Sequence, residues 1–292
     1  MVLSQSKPLS ATANYERLLR ARYGWSAETG IPQAFTRALE GQPQLAHLEV
    51  LLDHRSLRSY RSTPLPEGTL ETMVAAAQSA ATSSNLQTWS VVAIRDPDRK
   101  ARLAELAGGQ AHISQCPLYL VWLADLARLS SLGDHLGLPH AALDYLEMFL
   151  TSAVDATLAA QNAVVAAEGL GLSTVYIGSM RNQPEAVAEV LGLPPHVFAV
   201  FGLCVGYADQ EAAIKPRLPQ SVVLHHEQYE TGSQLEGIEA YNQTMREFYR
   251  DQAMQVDVDW AEHSLNRVAQ PESLSGRDRL PEALKALGFP IL

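Results

Sequence analysis

Lysine is scarce in this sequence: 4 of the 22 basic residues are lysines and the other 18 are arginines. Acidic residues number 32, which leaves a formal charge of −10. Nucleic acids and membrane surfaces are held by broad basic faces, so this balance excludes a general binder of either. A small anion gripped by a local basic cluster stays open. Cysteine is scarcer still, with Cys116 and Cys204 alone. Two thiols cannot build a disulfide framework, and nothing demands an oxidising compartment. Cys204 sits in the apolar run 197–205 as a small hydrophobe, and Cys116 precedes Pro117 at the edge of another run. No His or Cys array has metal-ligand spacing, and His225-His226 is the one adjacent pair among nine histidines. The uncharged stretch 190–208 is interrupted by Pro194 and Pro195. Spanning a bilayer takes about 20 continuous apolar residues, so no membrane span is expected. Residues 1–9 mix Ser, Gln, Lys and Pro without a leader's apolar run, which makes a cytoplasmic location the expectation. Asn242-Gln243-Thr244 fits the glycosylation pattern and, without a leader, is read as chance.

Core material is ample. Hydrophobic residues make up 47% and charged residues 18%, which argues against wholesale disorder. At roughly 150 residues per domain, the chain allows one large domain or two smaller ones. Residues 1–46 form a polar N-terminal extension with helical candidates at 14–22 and 32–39. Leu45, Leu48, Leu51 and Leu52 recur at helical spacing and lead into His54. Thr63-Pro64-Leu65-Pro66 breaks the chain, and Leu70, Met73, Val74, Ala77 and Ala81 then mark a helix face. Strands are expected at 90–94, 118–123, 173–177 and 197–205. Asp96-Pro97 opens a helix that Gly108-Gly109 ends. Further helices are expected at 139–150, 151–169, 184–191, 234–253 and 281–287. Segment 151–169 is apolar nearly all round, so it belongs in a core or a subunit interface. Long helices with a few short strands predict an α+β layer architecture with an irregular C-terminal extension. Strand order is not legible from this pattern.

Against so few cations, clusters stand out. The densest is His54-Arg55-Ser56-Leu57-Arg58 with Arg61 behind it. An arginine fork fits a phosphate, and Ser and His add hydrogen bonds. Spacing alone still favours a solvated helix end, where cations are also at home. In Lys215-Pro216-Arg217, proline stiffens the backbone, and residues two apart point the same way in an extended segment. That makes an anion clamp, or else a solvent-facing loop. Thr82-Ser83-Ser84-Asn85-Leu86-Gln87 lies in a helix-to-strand loop rich in hydroxyls and amides, which either bind a polar ring edge or simply turn the chain. In Tyr176-Ile177-Gly178-Ser179-Met180-Arg181 a glycine leaves a strand and admits close backbone approach by a ligand, or a plain turn. Gly169-Leu170-Gly171 precedes a strand, and Thr174 stands where a dinucleotide fingerprint needs glycine. Gly178-Ser179-Met180 is no nucleophile elbow, and no Ser/His/Asp set is visible. These absences point to chemistry supplied by a cofactor.

Six segments together resemble the FMN-dependent nitroreductase family, and within it the larger oxygen-insensitive nitroreductase and NADPH:FMN oxidoreductase subgroup. They are His-Arg-Ser-Leu-Arg at 54–58, Thr-Ser-Ser-Asn-Leu-Gln at 82–87, Gly-Gly-Gln-Ala-His at 108–112, Val-Tyr-Ile-Gly-Ser-Met-Arg-Asn at 175–182, Phe-Gly-Leu-Cys-Val-Gly at 201–206 and Lys-Pro-Arg-Leu-Pro at 215–219. The resemblance implies an α+β nitroreductase-like fold: a central, mostly antiparallel sheet flanked by helices, in an intertwined homodimer whose C-terminal extension wraps the partner. It divides the chain into an N-terminal extension (1–46), an FMN-binding core (47–229) and a C-terminal helical extension (230–292). It implies FMN as cofactor, with NADPH, or NADH, as reductant, and a flat electron-accepting substrate: a nitroaromatic, a quinone or free flavin. By the resemblance, His54, Arg55, Ser56 and Arg58 hold the FMN phosphate and ribityl chain, and Lys215 and Arg217 close on the same phosphate. Thr82, Ser83 and Ser84 of the other subunit line the flavin. Gln110 meets the ring's polar edge, and Tyr176, Ile177, Gly178 and Ser179 pass along the ring. No side chain is assigned as a catalytic group or metal ligand. Ser179 stands where the subgroup often has a second glycine, and 1–46 has no counterpart in shorter members. Arg267, Arg277 and Arg279 are candidates for selecting a nicotinamide 2′-phosphate. The alternatives are a flavin carrier without substantial turnover, or a member with different reductive chemistry such as dehalogenation or flavin breakdown.

Overall fold

The structure, a computed structural model, describes residues 11–26, 30–31 and 46–292. The expected helix at 32–39 lies outside the described residues. In chain order the elements are α1 (Ala11–Tyr23), α2 (Ala46–Leu52), α3 (Thr69–Gln78), β1 (Trp89–Ile94), α4 (Pro97–Leu106), α5 (Ala111–Gln115), β2 (Leu118–Asp125), α6 (Ala127–Leu136) and α7 (Leu146–Gly169). There follow β3 (Ser173–Ile177), α8 (Pro184–Leu191), β4 (Val197–Gly206), α9 (Gln220–Val223), α10 (Gln234–Asp251), α11 (Trp260–Arg267) and α12 (Leu280–Ala286). The chain divides into two compact units. One joins Met1–Arg55 with Ala212–Ala269, and the other joins Ser56–Glu211 with Gln270–Leu292.

The second unit holds a four-stranded antiparallel sheet in the order β1-β2-β4-β3. Side chains alternate across β2, which sorts the core into two layers. Tyr119, Val121 and Leu123 face α4, α5 and α8 through Leu103, Ile113 and Val187. Leu118, Leu120 and Trp122 face α7 and α3 through Ala159, Ala163, Val164, Met73 and Ala77. Both faces are covered, so every β2 residue is buried, which is why the strand reads as an apolar run from Leu118 to Ala124 before it ends at Asp125. A third cluster sets Phe198 of β4 against Leu284 and Phe289 of the C-terminal segment. Asp96 caps α4 as expected, accepting from the Arg99 N–H at 2.8 Å.

Helix α7 is longer than expected at its start. Its first turn begins at Leu146, and residues 141–144 form a separate 3-10 turn, because Tyr145 is extended (φ −88°, ψ 148°). One face of α7 is buried through Ala156, Ala159, Ala160, Ala163 and Ala167. Another face carries an exposed apolar stripe: Leu146, Leu150, Val154 and Leu158 are 52, 56, 48 and 43% exposed. In the first unit, Tyr15 and Leu19 of α1 pack with Leu48 and Leu52 of α2. No helix among the described residues is long and apolar enough to cross a membrane. No group of His, Cys, Asp or Glu among them is placed to hold a metal ion.

Candidate active site

In the first unit the chain from 214 to 217 alternates: Ile214 and Pro216 are buried, Lys215 and Arg217 exposed. The two cations therefore share one face, as the spacing predicts. The backbone beneath them is held from two helices. Tyr241 of α10 donates its hydroxyl to the Pro216 carbonyl at 2.9 Å. Burial pushes the Tyr241 pKa up, so this donor keeps its proton. From α1, the Arg22 carbonyl accepts the Arg217 N–H at 2.9 Å, and the Arg22 guanidinium donates to the Lys215 carbonyl at 3.1 Å. The same guanidinium donates to the carbonyls of Leu52 (2.7 Å) and His54 (3.1 Å). His54 and the 215–217 segment are thus brought together through Arg22, which sequence reasoning missed. Lys215 Nζ also lies 5.9 Å from the centroid of the Tyr249 ring, within cation–π range. Arg55 turns inward: it pairs with the Asp53 carboxylate and donates to the Asp53 carbonyl at 2.9 Å.

The remaining predicted residues belong to the second unit and fall into two groups. In the first, Ser56 bridges Thr174, the Leu57 N–H donates to the Thr174 carbonyl at 3.1 Å, and Tyr60 bridges Ala208. Residues 56–60 are therefore stitched to β3 and to the exit of β4, with Arg58 exposed between. Gln110 caps the start of α5 and donates to the Ser179 hydroxyl at 2.6 Å and the Ala107 carbonyl at 3.0 Å. Two motifs 69 residues apart meet in that bond. His112, two residues on, has an Nε2 that is buried without a hydrogen-bond partner among the described residues. Burial, and then the charge of Arg58, hold its pKa below the ordinary 6.5. The thiol of Cys204 is buried and donates to the His112 carbonyl at 3.6 Å.

Tyr176 packs edge-on against Phe201, with ring centroids 5.0 Å apart, and donates its hydroxyl to Gln161 at 3.3 Å. Ile177 is buried. Gly178 opens a 3-10 turn at ordinary φ, and a Cβ there meets only the flexible Arg181 guanidinium, at 3.4 Å. The chain itself therefore does not require glycine at 178. Arg181 donates to the Val200 carbonyl, and burial lowers its pKa.

The other group is the loop from 82 to 88, hung on Asp155 of α7. This carboxylate is 2% exposed. It accepts the Thr82 hydroxyl at 2.5 Å, the Ser83 N–H at 3.1 Å, and the Thr88 N–H and hydroxyl at 3.2 and 3.1 Å. The loop needs such an anchor because Ser84, Asn85 and Gln87 all adopt positive φ. Ser83 and Ser84 are exposed on it. Asp155 was legible as one of three acidic residues in a largely apolar helix but was not singled out. Of the arginines weighed for a 2′-phosphate, Arg279 is paired bidentately with Glu185 at 2.7 Å and Arg277 donates to the Leu274 carbonyl at 2.7 Å. Arg267 is exposed near the end of α11.

Sequence and structure comparisons give the family. The family model described as "Nitroreductase family" matches residues 51–207, and "Nitroreductase family, C-terminal domain" matches 215–291. An FMN reductase (NADPH) of Bacillus subtilis is 36% identical over 247 residues, covering 83% of this chain and 97% of that protein. An oxygen-insensitive NADPH nitroreductase of Salmonella typhimurium is 38% identical over 218 residues, covering 74% and 88%. Among solved structures, NADPH:FMN oxidoreductase from Vibrio harveyi complexed with NAD+ superposes with a TM-score of 0.75 at 33% identity, covering 84% of this chain and 99% of that one. With two family models in series along the chain and relatives matched over most of their length, the protein belongs to the nitroreductase family.

Proposed function

We propose that this protein is an FMN-dependent NAD(P)H oxidoreductase that reduces nitroaromatics, quinones or free flavin. The observation that carries the reading is the clamp at 215–217, where two exposed cations share one face of a backbone pinned from behind. The donor set fits the cofactor. Lys215, Arg217 and His54 supply cations and N–H donors suited to a phosphate monoester, with Ser56 and Arg58 next along the chain. The Gln110 amide and Ser179 hydroxyl, joined by one hydrogen bond, suit the polar edge of a ring. Tyr176, Ile177 and Gly178 precede them, and Gly178 leaves backbone open to a flat ligand. The Arg55 side chain, turned onto Asp53, leaves its main chain for the ligand.

When bound, FMN would supply the redox chemistry, hydride uptake from NAD(P)H and two-electron reduction of a flat acceptor, with His54, Lys215 and Arg217 holding its phosphate. This chain's own residues bind, orient and stabilise charge, and none needs to act as a nucleophile. The protein acts as a homodimer. Supporting this is the stripe Leu146, Leu150, Val154 and Leu158, an apolar row one helical turn apart that is left in water on a single chain. In that dimer Thr82, Ser83 and Ser84 of one subunit line the flavin of the other. The functional division is the core 47–229 between extensions 1–46 and 230–292. The test is the visible spectrum of the purified protein with its released chromophore identified. Yellow protein releasing FMN supports the reading, and colourless protein that fails to take up added FMN overturns it.

A further inference from the structure

The family-model matches begin at residue 51, so α1 and its Arg22 lie outside them. Arg22 is nevertheless 7% exposed, and burying its charge is tolerable only because hydrogen bonds compensate it. Its guanidinium reaches the Lys215 carbonyl, 193 residues away, and the carbonyls of Leu52 and His54, 30 and 32 residues away. Its own carbonyl takes the Arg217 N–H. We propose that Arg22 is a positioning residue for the anion-binding cluster, setting the spacing between the 52–54 and 215–217 segments so that the side chains of His54, Lys215 and Arg217 converge on one phosphate. The inference rests on the reading that this cluster holds the FMN phosphate.

Three features argue for it. The acceptors at Leu52, His54 and Lys215 are main-chain carbonyls, so these bonds fix backbone and leave the side chains of His54 and Lys215 to other partners. The guanidinium is a planar fork whose two ends reach different segments, so it sets a distance between them as a single ammonium cannot. And the two segments joined are the ones that sequence reasoning had marked, independently, as the two halves of an anion grip. Helix α1 is thereby part of the cofactor site, and not an appendage.

The test compares FMN with riboflavin, which lacks the phosphate, by fluorescence titration of the apoprotein. Arg22→Ala is expected to raise the FMN Kd tenfold or more and to move the riboflavin Kd less than about twofold. Arg22→Lys keeps charge and bulk but loses the fork, and is expected to weaken FMN several-fold with riboflavin again unchanged. It also keeps the test open if Arg22→Ala does not fold, as judged by circular dichroism. A merely structural cross-link would weaken both ligands together, and that result overturns the proposal, as does parental FMN affinity in both variants. The Lys215→Ala/Arg217→Ala double variant is run alongside. If it too leaves the FMN-to-riboflavin ratio unchanged, the phosphate reading itself fails. If it alters the ratio and the Arg22 variants do not, only the role of Arg22 fails.

Discussion

Replacing Asp155 by Asn keeps the shape of the side chain and removes its charge, and the geometry says what must break. The carboxylate faces two main-chain donors, Ser83 N–H on Oδ1 and Thr88 N–H on Oδ2. The Thr82 and Thr88 hydroxyls can reverse and accept, but the two N–H groups cannot. Whichever way the Asn amide is turned, its NH2 points at one of them, and that buried donor loses its acceptor. An orphaned buried donor costs about 1–3 kcal/mol, and each bond that passes from a charged to a neutral acceptor weakens by roughly 1 kcal/mol. Hydroxyl reversal recovers part of this, leaving a net loss of about 2–4 kcal/mol. Asp and Asn have similar helix propensities, so α7 itself is not disturbed. Chemical denaturation at fixed protein concentration measures the change, since association adds to apparent stability. A loss below about 0.5 kcal/mol, the range of an ordinary surface substitution, would show that the loop from 82 to 88 does not hang on Asp155.

Three other outcomes are expected. The Lys215→Ala/Arg217→Ala double variant should keep the parental circular dichroism spectrum and bind FMN at least tenfold more weakly, since each charge-assisted bond contributes roughly 1.5–3 kcal/mol; undiminished affinity removes both residues from the phosphate site. Arg58→Gln should raise the His112 pKa toward 6.5, followed by NMR titration of the ring, because one of the two influences holding it down is gone. With its folded value below the unfolded one, His112 makes the protein lose stability as pH falls below about 6.5, until the folded-state value is passed; Arg58→Gln should lessen that loss, and an unmoved titration would refute the coupling. Leu150→Glu places a charge in the middle of the α7 stripe and should yield a monomer by analytical ultracentrifugation, whereas an unchanged sedimentation coefficient excludes this face from the interface.

The fold was legible where burial leaves a one-dimensional trace. Strands β2 and β4 stand out because both faces of the sheet are covered, so their residues are apolar but for Asp125 at the end of β2. Helix α4 was legible at both ends because Asp96-Pro97 and Gly108-Gly109 are local signals. Helix α6 was missed, with leucines that stay largely exposed, and so was α11, where no residue is buried. The reading of 139–150 as helical followed apolar spacing and missed the extended Tyr145, which nothing local announces. Strand order depends on pairings between distant segments and leaves no trace in the spacing. At the site, alternation predicted the shared face of Lys215 and Arg217. What holds that face was invisible, since one of three arginines in a polar helix looks like any surface cation until its carbonyl partners are seen. Arg55 shows the converse: it was selected for its charge, and its guanidinium is held by Asp53 two residues earlier.

The most direct test of the account is the anaerobic half-reaction. The purified yellow protein is mixed with NADPH, and with NADH, in the absence of oxygen, and the flavin absorbance is followed before and after a nitroaromatic or quinone is added. The account predicts rapid bleaching by a nicotinamide and recovery of the oxidised spectrum with the acceptor. Flavin that stays yellow with both nicotinamides would contradict it and leave a protein that carries FMN without turning it over.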